Sequence, residues 1–206
     1  MIDEQKLAIL EKEAKENPKS IFAHHRLAIA YWQAGKTEDA LKTFKYLLEL
    51  DPPNFEVRVN LGTLLAQIGK LEEAKKHFEI ALKAYPKSAE ALVNLGLVNF
   101  HLGNLDEAQE YYLKALEVRP NWPPALVNLS TVYIEQKKYK EAAECCEKAI
   151  SSDPNFSMAY NNLAVAYYHL GKIKEAREAL EKAKKLGYPV LESLEQMIAE
   201  AENAKS

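Results

Sequence analysis

The chain has 206 residues, of which 48% are apolar and 28% charged, a balance that gives a packed protein rather than a disordered one. Its net charge of −3 removes the strongest reason to expect a nucleic acid partner, because phosphate backbones need a basic surface. No apolar run approaches the ~18 residues that suggest a membrane span, and the opening "MIDEQKLAILEKEAKENP" mixes charged and apolar residues from the start, unlike a secretory signal.

Residues 3–16 carry Leu7, Leu10 and Ala14 on one helical face and charge on the other. From there the chain repeats itself. Pro18, Pro52, Pro86, Pro120 and Pro154 are 34 residues apart, as are Leu27, Leu61, Leu95, Leu129 and Leu163. Ala40, Ala74, Ala108, Ala142 and Ala176 keep the same period. So do Gly35, Gly69, Gly103 and Gly171, with Lys137 as the exception. Such a period marks a stack of similar units.

Each unit is expected to be two helices. In the third, Leu92, Leu95, Gly96 and Leu102 fall at helical spacing before Gly103, which can take the left-handed conformation that ends a helix. Leu105, Ala108, Tyr112, Ala115 and Leu116 form a second stripe, opened by Asp106 and Glu107 where acid suits the helix dipole. Pro120 prevents continuation. The alanine column is small where two helices approach closely, and Phe44, Phe78 and Tyr112 fill the space between them. Residues 191–204 carry Leu191, Leu194, Ile198 and Ala201 on one side and are expected to form a closing helix.

These columns resemble the tetratricopeptide repeat. The first copy supplies Leu27, Ala28, Tyr31, Ala40, Phe44 and Pro52, the second Leu61, Gly62, Ala74, Phe78 and Pro86, and the third Leu95, Gly96, Ala108, Tyr112 and Pro120. The fourth has Leu129, Tyr133, Ala142 and Pro154, with Ser130 for the small residue and Cys146 for the aromatic. The fifth has Leu163, Ala164, Tyr167 and Ala176, with Leu180 for the aromatic and Tyr188 where the proline belongs. Asn99 replaces a large residue, so the third repeat is expected to pack less well or to open toward the groove. The resemblance implies an all-α, right-handed superhelical solenoid of antiparallel helix pairs. Its repeats would be 21–54, 55–88, 89–122, 123–156 and 157–190, capped by helices in 1–20 and 191–206, one solenoid using the whole chain.

In that family the first helix of each repeat lines a concave surface. Asn60, Asn94, Asn128 and Asn162 sit on those helices, one residue before the core leucine and 34 apart. By position they resemble the family's asparagines that bond the backbone of a bound peptide. An amide suits that task because it offers both donor and acceptor whatever the ligand's side chains. The other reading is that they bond to the neighbouring repeat and fix the stacking. Val93, Leu97, Thr131, Trp32, Phe100 and Tyr168 make the expected surface apolar and aromatic, with Arg26 its basic residue. Members that clamp a C-terminal carboxylate carry lysines and arginines where this chain has Glu56, Val59, Glu90, Val93 and Val127, so that subtype is not expected.

No catalytic, cofactor or metal pattern emerges. The five histidines are scattered, and there is no phosphate-binding glycine loop or nucleophile motif. Cys145 and Cys146 are neighbours, poorly placed to bridge, which suits a reducing compartment such as the cytoplasm. Cys146 is expected in the core and Cys145 nearer the surface. The expected function is a non-enzymatic adaptor holding an extended or helical segment of another protein. The alternative is a structural subunit that docks on a larger complex, or self-assembles, through its convex face or ends.

Overall fold

The computed structural model describes residues 3–203. Among these are twelve α-helices and no strand. Helix α1 (Glu4–Glu16) precedes five pairs: α2 (Ile21–Gln33) with α3 (Thr37–Leu50), α4 (Phe55–Gln67) with α5 (Leu71–Ala84), α6 (Ala89–His101) with α7 (Leu105–Val118), α8 (Pro123–Glu135) with α9 (Tyr139–Ser152), and α10 (Ser157–His169) with α11 (Ile173–Lys185). Helix α12 (Glu192–Asn203) closes the described chain. This is an all-α helical-repeat solenoid. Two compact units, Met1–Val98 and Asn99–Ser206, divide within α6.

The same device turns the chain inside every pair. Three residues link the two helices, and the middle one has a left-handed backbone: φ is 73° at Gly35, 79° at Gly69, 82° at Gly103 and 73° at Gly171. The residue after it reaches back five positions, as in Lys36 N–H to Tyr31 O at 2.9 Å and Lys172 N–H to Tyr167 O at 3.0 Å. That bond satisfies a carbonyl left over at the helix end. Lys137 adopts the same geometry at φ 59° despite its side chain, with Lys138 N–H to Tyr133 O at 2.8 Å. The turn is thus imposed by the stack and not by glycine alone.

Each pair is held by small against large. Ala40, Ala74, Ala108, Ala142 and Ala176 are all fully buried, and Phe44, Phe78, Tyr112, Cys146 and Leu180 are no more than 1% exposed. On the first helix Gly62 makes room for its partner ring, since a Cβ there would lie 2.9 Å from Phe78 Cε1. Ala28, Ser130 and Ala164 hold the matching places, each completely buried.

The terminal helices act as caps. In the first unit α1 lays Leu7, Leu10 and Ala14 on Ala23, Leu27 and Ala30, and Glu13 takes two 2.9 Å hydrogen bonds from Arg26 Nη1. In the second, Leu194 and Ile198 of α12 join Ala176, Ala179 and Leu180, and Arg177 Nη2 donates to Glu202 at 2.9 Å.

Two expectations change. Asn99 does not open outward: it is fully buried, and its Oδ1 accepts from Asn104 Nδ2 at 3.3 Å. An amide with a local partner can replace a large apolar group there. Cys146 is completely buried and Cys145 keeps 8% exposure, so Cys145 is the nearer of the two to the surface, as expected. Leu191 lies ahead of α12 and is 72% exposed, so it takes no part in the closing face. Residue 204, the end of the expected closing stretch, falls outside the described residues.

Ala108→Leu should lower stability by ~1–3 kcal/mol through overpacking, read as a shift in denaturant midpoint. Lys137→Gly should raise it by up to about 1 kcal/mol by removing a side chain from a left-handed position. An unchanged midpoint in either variant contradicts the packing or the turn geometry respectively.

Candidate functional site

The asparagine column is placed by helical geometry. One residue before the core leucine lies about 100° around the helix, at the edge of the buried stripe. Asn60, Asn94 and Asn128 are accordingly half-buried, and Asn162 is 8% exposed. What the amides face depends on the first helix of the preceding repeat.

In the first unit Asn60 Nδ2 is 3.0 Å from His25 Nε2. The amide and the imidazole of two consecutive repeats thus meet at hydrogen-bond distance. Asn94 Nδ2 donates to Thr63 Oγ1 over a longer 3.4 Å, while Thr63 donates to its own Val59 carbonyl at 2.9 Å. In the second unit Asn162 Nδ2 reaches Ser130 Oγ and Thr131 Oγ1, both at 3.0 Å. Both hydroxyls in turn donate to Val127 O, at 2.7 and 3.1 Å. A hydroxyl that back-bonds to its own helix keeps lone pairs free for an incoming amide.

Asn128 differs. Among the described residues its side chain has no hydrogen bond. The residue 31 positions before it, where Asn94 and Asn162 find threonines, is Leu97, which has no hydroxyl. The ladder therefore has two roles: three amides tie consecutive repeats together, and one is left unengaged. His25, Thr63 and Ser130 were not picked out from the sequence as the asparagines' partners. The signal was present as a hydroxyl or imidazole 31–35 residues upstream.

The other expected site residues divide similarly. Leu97 is 38% exposed, and Phe100 and Tyr168 are half-buried. The Tyr168 ring meets His169 edge-on at 5.3 Å, and His169 stacks flat on Tyr139 at 4.3 Å. Trp32 Nε1 donates to Gln67 Oε1 at 2.9 Å and its ring abuts Phe44. Thr131 is taken up by Asn162. Val93, expected on the binding face, is buried at 7% exposure and belongs to the core. Arg26 is paired with Glu13 and lies over Phe22 at 5.3 Å, so its charge is already engaged.

Reactive chemistry finds little support. Among the described residues no three His, Cys, Asp or Glu side chains come together as a metal site. Burial pushes the Cys145 thiol up to about 11 and the Cys146 thiol up to about 12, where a hydrogen bond with Ser130 opposes it. Both are protonated near neutral pH, the reverse of an activated nucleophile. His77 is pushed down by burial first and by the charge of Arg58 second.

Comparison with known families gives tetratricopeptide-repeat models matching residues 25–74 and 60–125, 123–156 and 145–178. The chain belongs to the tetratricopeptide-repeat family. No curated protein sequence matches it significantly. Among solved structures this repeat protein is similar to MamA, at 26% identity over 81% of this chain and 91% of that one, with a TM-score of 0.71. It also shares its fold with YrrB, described as a repeat protein with an unusual peptide-binding site (23% identity, 94% and 97% coverage, TM-score 0.70). PilW, a type IV pilus biogenesis factor, shares it too, at 23% identity, 94% and 90% coverage and a TM-score of 0.81. The family and these neighbours support a protein-interaction scaffold. Among the described residues no helix is long and apolar enough to cross a membrane.

Because Asn162 has two good hydroxyl partners, Asn162→Ala should lower stability by ~1–3 kcal/mol, at about 0.5–1.5 kcal/mol for each bond lost. Asn128→Ala should leave it within about 0.5 kcal/mol. Equal denaturant midpoints for the two variants would contradict this division.

Proposed function

We propose that this repeat protein is a non-enzymatic interaction scaffold that holds an extended or helical peptide segment of another protein against the faces of its first helices. The observation that carries this reading is the half-buried Asn128 amide, unengaged in a column whose other members are bonded. An amide in such a place can pair with a ligand's peptide group, and a partly dry setting strengthens the bond. Leu97, Phe100, Ile134 and Tyr168 supply partly exposed apolar surface on the same helices. Charge is scarce there: no lysine occurs on α2, α4, α6, α8 or α10. Peptide binding by YrrB, a protein of the same fold, agrees with this use of the surface.

Asn60, Asn94 and Asn162 contribute by holding register between repeats; the acceptor oxygens of the half-buried Asn60 and Asn94 remain for a ligand, while Asn162 Oδ1 accepts from Asn161 Nδ2 at 3.4 Å. Arg26 fastens the first cap instead of steering a carboxylate. A reducing compartment, the cytoplasm, fits two free thiols side by side. No cofactor, metal or nucleic acid is part of this function. A second reading, a structural subunit docking through its ends, draws on exposed apolar residues near the first cap, Ile9 at 65% and Phe22 at 68%.

The test uses the partner recovered by pull-down from the native host and identified by mass spectrometry. Asn94→Ala with Asn128→Ala should weaken binding about tenfold while unfolding stays cooperative, from about 0.5–1.5 kcal/mol per hydrogen bond. Leu97→Asp should weaken it further. Normal binding with early melting would make the whole column a stacking device and remove this reading.

A further inference from the structure

We propose a second ligand site, apart from the asparagine column, at the turn edge of the first unit. It takes the cationic side chain of an arginine or lysine whose following residue is apolar. An open cleft of about 620 Å³ there is lined by Asp51, Pro53, Asn54, Phe55, Glu56 and Tyr85, with Ala84 at its edge. The rings of Phe55 and Tyr85 meet edge to face at 4.8 Å, and Tyr85 is 58% exposed, far more than a core aromatic.

Three features of this cleft favour a cation. Two of its lining residues, Phe55 and Tyr85, are aromatic, and an aromatic face attracts a cation. Helices α3 and α5 end at Leu50 and Ala84, beside the cleft residues Asp51 and Tyr85, and helix C-termini are the negative ends of the dipole. The positive end of α4 also lies here, but Asn54 Oδ1 caps it by accepting from Val57 N–H at 3.0 Å.

The carboxylates of Asp51 and Glu56 complete the set, and no lysine or arginine among the described residues neutralises them. Asp51 Oδ2 accepts only the Asn54 amide, at 2.8 Å. Glu56 lies 3.8 Å from His25 Nε2, which also meets the Asn60 amide at 3.0 Å. The nearby Arg58 guanidinium turns instead to Pro52 O, with bonds of 3.0 and 2.6 Å.

The same ring pair walls a second cleft of about 580 Å³, lined by Phe55, Ala84, Tyr85, Pro86, Lys87 and Ser88. Its Phe, Tyr, Pro and Ala walls suit an aliphatic or aromatic side chain. Two adjacent residues of an extended segment, cationic then apolar, would straddle the pair. Charge complementarity selects the occupant: a basic peptide segment, not an acidic one.

The test titrates the full chain with acetyl-Arg-Leu-amide and follows backbone amide shifts by NMR. Acetyl-citrulline-Leu-amide, of the same shape without the charge, is the control. Shifts should appear at Asn54, Phe55, Glu56, Tyr85 and Lys87, and citrulline should bind about fivefold more weakly. Glu56→Gln, a change at a side chain 73% exposed, should weaken the arginine peptide about threefold without altering the fold. Tyr85→Leu, which keeps apolar bulk, should reduce the preference for arginine over citrulline. The Asn94→Ala, Asn128→Ala variant should keep every shift, which separates this site from the asparagine column. Equal binding of the two peptides, indifference to Glu56→Gln, or shifts confined to the asparagine column would each overturn the proposal.

Discussion

Everything in this protein depends on how closely two helices can approach within a repeat. A completely buried alanine on each second helix lets it sit against its first helix at the 8–10 Å typical of tight helix packing. A phenylalanine, tyrosine, cysteine or leucine one turn on fills the remaining space. The contact recurs every 34 residues, so the same small-against-large pairing is used in every helix pair. A single helix pair cannot bury both its faces, so neighbours and end caps must cover them. Helices α1 and α12 serve this purpose with small apolar stripes and an arginine–glutamate clasp at each end.

That repetition gives the asparagine column its meaning. A polar residue at the edge of each buried stripe needs a partner or water, since an orphaned buried amide costs about 1–3 kcal/mol. Where the preceding repeat offers an imidazole or hydroxyl, the amide turns to it and strengthens stacking. Asn128, for which the corresponding upstream position in sequence is Leu97, has no side-chain hydrogen bond among the described residues. The same column thus holds bonded and unbonded amides, with no change in the asparagine itself.

The architecture was legible because it rests on period. Proline, glycine, alanine and leucine columns located both helices of each pair, and the turn survived even where Lys137 interrupts the glycines. The site was less so. The asparagines were found, yet their partners were not, because pairing depends on a residue in another column rather than on the asparagine's surroundings in sequence. Val93 was placed on the wrong side because adjacent positions on a helix differ by about 100°, and apolar residues at a stripe's edge suit either side. Asn99 differs for a related reason: one partner of its amide, Asn104, comes from the following turn. The Phe55–Tyr85 pair had a faint signal, an aromatic opening a first helix and another just before Pro86, that period alone did not separate from packing.

The account stands most directly on which face meets a partner, and site-specific photo-crosslinking reads that face. Leu97 on a first helix and Leu113 on a second are nearly equally exposed, at 38% and 40%, so a photoreactive phenylalanine analogue placed at each samples the two faces on equal terms. In an extract of the native host, the account predicts a discrete partner adduct from position 97 and none from position 113. An adduct from position 113 alone would contradict it.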